Sequence, residues 1–376
     1  MKHLDELTGL RCIAVGMVVL GHSSSFLPHW ADRSYSPIVL LGNGALGVHI
    51  FFVLSGFLIT SLLMREYAQT GRIDFLAFYK RRLLRISPAF YTFLLVLGCL
   101  AATGVVEVSW QQFIASGTYI WNYAHLLGVD GSYQSHRDGL WYLGHTWSLA
   151  LEEQFYWIWP AFMWFTIKRH NRWVLPAAIL AVPLINMTSY IVFPSMRGQQ
   201  DVMFHTACDY ILVGCFISLN QNMIITRLRP LITSSLFFSL LAIGTLLILP
   251  NLTIKLGGYW SASYGRTIEA TLIALLILCV LAQPNHAFCK ILRTRPFVFV
   301  GTISYSLYLW QQLFNHPGSP VFFGFPLNVL GAIIAATISY RLIELPFLRI
   351  KDRGRNPTML RESSAATLLS ELGNSH

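Results

Sequence analysis

Apolar positions along this chain gather in long unbroken runs, not in the period-two or period-3.6 stripes of half-buried soluble elements. Runs of spanning length lie near residues 10–29, 45–64, 89–108, 147–167, 173–193, 203–221, 231–250, 267–282, 297–315 and 325–345. A stretch of about 20 apolar residues is what a helix needs to cross the hydrocarbon core. The pattern therefore predicts an all-α polytopic membrane protein with about ten transmembrane helices. Residues 1–350 read as a single membrane domain, and 351–376, which have no spanning run, as a mobile cytoplasmic C-terminal tail. The first run continues for a full span without a small-residue cleavage site, so it is expected to stay as a helix.

Two segments stand outside the spans. Residues 72–88, RIDFLAFYKRRLLRISP, interleave aromatics and Leu with a dense cationic face. They predict a helix lying in the interface between spans two and three, where its basic residues would hold anionic membrane lipid or a phosphorylated ligand. Residues 110–144 carry Trp110, Trp121, Tyr123, Tyr133, Trp141 and Tyr142. That density suits a lid or a sugar-stacking surface, and equally an interfacial aromatic belt.

Composition sharpens this picture. Hydrophobic residues make up 54% of the chain and charged residues only 12%, against roughly 25% in soluble domains. A disordered chain and a soluble core with a charged shell are both excluded. The net charge of +10 has a topological explanation, because 22 of the 27 Lys and Arg fall on one side of the predicted spans. Under the positive-inside rule both termini are cytoplasmic, as expected of a multi-pass protein of the cytoplasmic (inner) membrane. The six cysteines have no CxxC spacing and read as packing residues. No metal-ligand spacing, glycine-rich phosphate loop or nucleic-acid pattern occurs, so neither a metal nor a nucleic-acid partner is expected.

Ionisable groups at membrane depth are costly and mark function by default. Arg11 and His22 are almost three helical turns apart, so both project from one face of the first span, about 16 Å apart along the axis. In the fourth span, HTWSLALEEQFYWIWP places Glu152 on a face with His145, Ser148 and Tyr156. Glu153 falls on the next face, with apolar neighbours and within reach of water near the outer surface. His205 and Asp209, spaced i, i+4, form a second candidate acid/base pair in the sixth span. Ser304, Tyr308, Gln311 and Asn315 line one face of the ninth. Four polar stripes on four helices point to one shared cavity, and a translocation pathway would look much the same.

Six blocks in order carry a resemblance to a known family: Arg11 with ten residues before His22, GVHIFFVLSGFLI at 47–59, FYKRRLLRISP at 78–88, HTWSLALEEQFY at 145–156, ISYSLYLW at 303–310 and SYRLIELP at 339–346. Together they resemble acyltransferase family 3, polytopic membrane proteins that O-acylate glycans and related acceptors. The resemblance implies transfer of an acyl group from cytoplasmic acyl-CoA to an acceptor hydroxyl. It also implies that His22 is catalytic, that Arg82 and Arg85 are the RxxR block and that Glu152 is the WSLxxE carboxylate. Members usually carry Asp where this chain has His49 and often His where it has Gln311, and an Arg commonly found before Asp209 is missing. Those departures bear on the acceptor more than on the reaction class.

Acyl transfer needs a base for the hydroxyl proton and charge stabilisation for the oxyanion and the thiolate. His22 suits the base, with Glu152 or Asp209 as its expected carboxylate partner; Glu153, Asp209, His205 and His145 are secondary candidates. Arg11, Arg82, Arg85 and Arg81 are candidates for the CoA phosphates, which a guanidinium fork fits; positive-inside bias alone is the competing explanation for the basic segment. Ser55, Ser148, Tyr156, Ser304, Tyr308 and Gln311 are expected to line the cavity. The reading is an acyl-CoA-dependent O-acetyltransferase with no tightly bound cofactor, its co-substrate above all acetyl-CoA. Its acceptor would be a cell-surface polysaccharide such as lipopolysaccharide, a lipid-linked precursor or another glycan. The same chemistry on a secondary metabolite such as a macrolide is an alternative, and a transporter or flippase is another; no internal repeat of the kind that favours the last is visible.

Overall fold

The computed structural model describes residues 4–24, 41–129, 138–169, 171–316 and 324–353. Tyr133 and the tail beyond residue 353 lie outside them. Among the described residues the chain is helical and has no strand. The main helices are α1 (Leu4–Ser24), α2 (Gly44–Thr70), α3 (Phe75–Ala102), α4 (Thr146–Arg169), α5 (Val174–Val192), α6 (Asp209–Leu219), α7 (Ser235–Thr253), α8 (Gly265–Ala282), α9 (Ser304–Phe314) and α10 (Leu327–Lys351).

Six of them, α2, α3, α5, α7, α8 and α10, are long and apolar enough to cross a membrane. The other four predicted spans are helical over most of their described residues. Span six, however, is split into Phe204–Ala207 and α6, and span nine into Arg295–Thr302 and α9. Leu95, Ile191, Leu236 and Leu342 are exposed on spanning helices, while Glu6, Asp209, Glu269 and Gln311 are buried. Apolar outside and polar inside is the distribution a bilayer imposes, and the protein is a multi-pass membrane protein.

Local chemistry sets the helix ends. Asn43 caps α2 by accepting a hydrogen bond from the Leu46 amide, and Gly71 ends it in the left-handed region at φ 68°. Asp74 caps α3 by accepting from the Ala77 amide. The basic segment 72–88 is not set off as a separate interfacial helix: α3 runs through Pro88 and carries Arg82 and Arg85 into the bundle. A proline interrupts only its own hydrogen bond here, and in a bundle neighbouring groups absorb that loss.

The centre of the bundle is α2. It meets α6 backbone to backbone, where a Cβ on Gly56 would come within 2.1 Å of the Ile211 carbonyl oxygen and one on Gly214 within 2.2 Å of that of Val53. Such mutual glycines are how membrane helices gain close packing without a hydrophobic drive between them. Around α2 stand α1, α4, α6 and α8, with α9 and α10 against the far side of α1. The loop segment 110–144 folds partly into helix, and it buries Trp121, Trp141 and Tyr142 while leaving Trp110 exposed.

Candidate active site

Among the described residues the expected site residues border two cavities, where the sequence suggested one. The first is bordered by Arg11 from α1, Ser55 from α2, Arg82 and Arg85 from α3, Ser148, Glu152, Glu153 and Tyr156 from α4, and Ser304 and Tyr308 from α9. The second and larger is bordered by His22, His49, Trp141, His145, Trp147, Asp201, Tyr210, Arg266, Glu269 and Tyr308, among others.

In the arginine-lined cavity, Ser55 Oγ donates to Glu152 Oε1, Tyr156 Oη donates to the same oxygen, and the two hydroxyls touch each other. The guanidinium of Arg82 lies over the Tyr156 ring, 4.3 Å from its centroid, which holds a cation against a face rich in π electrons. Tyr305 Oη donates to the Ile86 carbonyl at 3.0 Å, tying α9 to α3 behind the arginines. Three guanidinium groups face two carboxylates, so the cavity carries an excess of positive charge in a low-dielectric surrounding. An anion with several oxygens is the ligand such a wall accepts. Arg81 is absent from the cavity: it pairs with Glu66 at 2.7 Å, because one residue along a helix turns the side chain by about 100°.

Glu153 departs from expectation. Instead of an apolar surface near outer water, it borders the same cavity as Glu152, and its Oε1 is buried without a hydrogen-bond partner. The cavity curves around α4, so two successive positions reach it. A buried carboxyl oxygen left unmatched is expensive and points to a ligand-facing role.

In the histidine-lined cavity, His22 Nδ1 lies 3.0 Å from Gln311 Oε1. That oxygen also accepts from Asn315 Nδ2 at 2.9 Å, and Asn315 Oδ1 accepts from Ser23 Oγ at 2.9 Å and Asn328 Nδ2 at 2.7 Å. The network joins α1, α9 and α10. A carbonyl oxygen requires a proton on Nδ1, which leaves Nε2 with its lone pair. The ring meets Trp141 edge-on at 5.6 Å, and Trp141 Nε1 is fixed by the Gln312 carbonyl at 3.0 Å.

In the structure neither carboxylate expected beside His22 hydrogen-bonds to it. Glu152 is committed to Ser55 and Tyr156 in the other cavity. Asp209 sits 3.8 Å from Arg266 Nη2 and accepts from Thr267 Oγ1 at 3.1 Å. The His205–Asp209 pair also dissolves: His205 Nδ1 lies 2.9 Å from Tyr123 Oη. The break between Ala207 and Asp209 removes the continuous helix that would have put the two on one face. His145 borders the cavity with both ring nitrogens buried and unpartnered, and its ring packs edge-on against Tyr308 at 5.3 Å.

One constellation was missed in the sequence. His49 Nδ1 meets Glu269 Oε1 at 2.7 Å and stacks on Tyr210 with centroids 4.0 Å apart, while Arg266 reaches Asp201 at 3.2 Å. The available signal was an ionisable residue inside an apolar run, at 49 and again at 269. Their pairing across α2 and α8 has no local trace.

Over residues 4–342 the chain matches the acyltransferase domain of acyltransferase family 3. It is 30% identical over 368 residues to the O-acetyltransferase OatA of Staphylococcus aureus strain NCTC 8325, which covers 92% of this chain and 57% of that protein. A putative O-acetyltransferase of Staphylococcus aureus strain COL is 28% identical over 402 residues, covering 98% of this chain and 62% of that protein. The chain thus spans less than two thirds of the length of these curated relatives. No solved structure matches it.

Proposed function

Since the chain belongs to acyltransferase family 3, we propose that it is a membrane O-acyltransferase that moves an acetyl group from cytoplasmic acyl-CoA to a hydroxyl of a glycan. The acceptor class is a cell-surface polysaccharide, its lipid-linked precursor or another saccharide. The observation that carries this reading is the meeting of an arginine-lined cavity and a histidine-lined cavity at two shared side chains, Val48 and Tyr308. A two-substrate transfer needs that layout: an anionic donor on one side, an acceptor on the other, and a passage for the reacting carbon between them.

Arg11, Arg82 and Arg85 hold the CoA phosphates from the side bearing most of the Lys and Arg, which is cytoplasmic with both termini. The pantetheine arm runs along the polar stripe of α1 toward His22, carrying the thioester. In the outer cavity Trp141 and Trp147 offer flat faces for a sugar ring. His22 Nε2 takes the proton of the acceptor hydroxyl as its oxygen attacks the thioester carbonyl. Collapse of the tetrahedral intermediate expels the thiolate, which recovers the proton from His22. Gln311 keeps the imidazole in the tautomer that accepts at Nε2, as a neutral orienting group. Glu152 orders Ser55 and Tyr156 and offsets part of the arginine charge.

The test is chemical. Surface glycans from cells with and without the gene are compared for ester-linked acyl groups, and membranes containing the protein are supplied with radiolabelled acetyl-CoA. Loss of one ester on deletion, with label entering the same glycan, is the expected result. An unchanged glycan and no label transfer would refute the reading.

A further inference from the structure

Among the described residues, only Val48 and Tyr308 border both cavities. Each is almost fully buried, and Tyr308 is held from several directions. Its hydroxyl donates to the His145 carbonyl oxygen at 3.0 Å and lies 2.6 Å from Ser148 Oγ, while its ring abuts the His145 imidazole at 5.3 Å. These contacts come from His145, just before α4, and from the first turn of α4, so the α9 phenol is pinned where the two cavities adjoin. Beside it Phe52, which faces the arginines, packs edge-on against Trp147, which faces His22, at 5.9 Å. The wall between the cavities is thus packed side chains, and one aromatic and one β-branched residue are common to its two faces.

We infer that Tyr308 and Val48 form an acyl-length selector, admitting a short acyl thioester to the histidine-lined cavity and turning back longer ones. This rests on the reading above, in which the donor enters among the arginines and reacts at His22. On that route the acyl group is the leading end of the donor, so it must pass Tyr308 and Val48 before anything else does. Protein interiors are packed to crystal density, and each further methylene has to displace side chains that have little room to move. The phenol restrained through Ser148 and His145 tilts only a short way, and Val48 is branched at Cβ and has little rotamer freedom. Acetyl is the smallest acyl group with a methyl; a butyryl group must force two more carbons through the same gap. The selectivity arises at the passage and needs no dedicated acyl pocket beside His22.

The experiment supplies membranes containing the full-length chain with radiolabelled acetyl-, propionyl- and butyryl-CoA and measures label in hydroxylamine-labile esters of the envelope glycan fraction. Wild type is expected to prefer acetyl. Tyr308→Leu and, at the other shared residue, Val48→Ala are each expected to raise the butyryl-to-acetyl ratio about tenfold or more, within the roughly 10- to 200-fold that one methylene is worth in a tight apolar site. If Tyr308→Leu fails to accumulate, the Val48→Ala ratio decides. A ratio unchanged from wild type in the variants that accumulate would overturn the selector while leaving the transferase reading standing. No label from any acyl-CoA in wild type would remove the donor route itself, and the selector with it.

Discussion

His22 on α1 and Gln311 on α9 face each other at 3.0 Å through Nδ1 and Oε1, so the imidazole is oriented by an amide where a carboxylate was expected. His22→Ala is expected to abolish acyl transfer with normal membrane accumulation, since removing a general base costs about 10²- to 10⁴-fold. Gln311→Leu should lose less, because Nε2 remains while its tautomer is no longer fixed. Turnover numbers at matched expression check the order, and an inactive Gln311→Leu beside an active His22→Ala would reverse the roles.

Arg82 and Arg85 border the cavity, whereas Arg81 is paired with Glu66 outside it. Arg82→Ala and Arg85→Ala should raise the apparent KM for acetyl-CoA about tenfold or more with a modest fall in kcat, the signature of lost uniform binding. Arg81→Ala should leave both constants near wild type. Equal KM values in all three variants would reduce the basic segment to a topology signal.

Glu152 shares its hydrogen bonds with Ser55 and Tyr156 and makes none to His22. In Glu152→Gln the amide oxygen still accepts from both hydroxyls, so the protein should fold. The pH at which kcat falls on the acid side should stay where it is in wild type, while KM for acyl-CoA changes. A displaced acid limb would mean that Glu152 reaches the imidazole during turnover.

Gly56 is a packing requirement of the fold. A Cβ there would lie 2.1 Å from the Ile211 carbonyl oxygen, and backbone cannot yield as a side chain end does. Gly56→Ala should destabilise the protein by about 1–3 kcal/mol, read as a lower midpoint of thermal unfolding in detergent. Gly244→Ala, where nothing stands within 4 Å of the new atom, is the matched control and should be near neutral.

Topology gives a test independent of catalysis. In a cysteine-free background, a cysteine at exposed Glu107, in the loop after α3, should react with an impermeant thiol reagent from outside the cell. One at exposed Asn222, between α6 and α7, should react only after the membrane is opened. Inverted labelling would place the arginine-lined cavity on the wrong side for cytoplasmic CoA.

The sequence alone determined the all-helical membrane character, the register of polar positions on each helix and the polar residues that border the cavities. Arg11 and His22 on one stripe of α1, and Arg82 and Arg85 one turn apart on α3, follow from the 3.6-residue period and hold in the structure as cavity walls. What tertiary structure decided is which stripes meet. Apolar residues surround these helices on most sides, so the local pattern hardly constrains how far each is rotated or slid along its neighbours. The contacts between helices, among them the close approach of α2 and α6 at Gly56 and Gly214, set those rotations through packing. They sent Glu152 to Ser55, gave His22 an amide partner 289 positions away and joined His49 to Glu269. They also divided the single cavity that four stripes suggested into two, because Tyr308, pinned by Ser148 and the His145 carbonyl, stands where the stripes of α2, α4 and α9 converge.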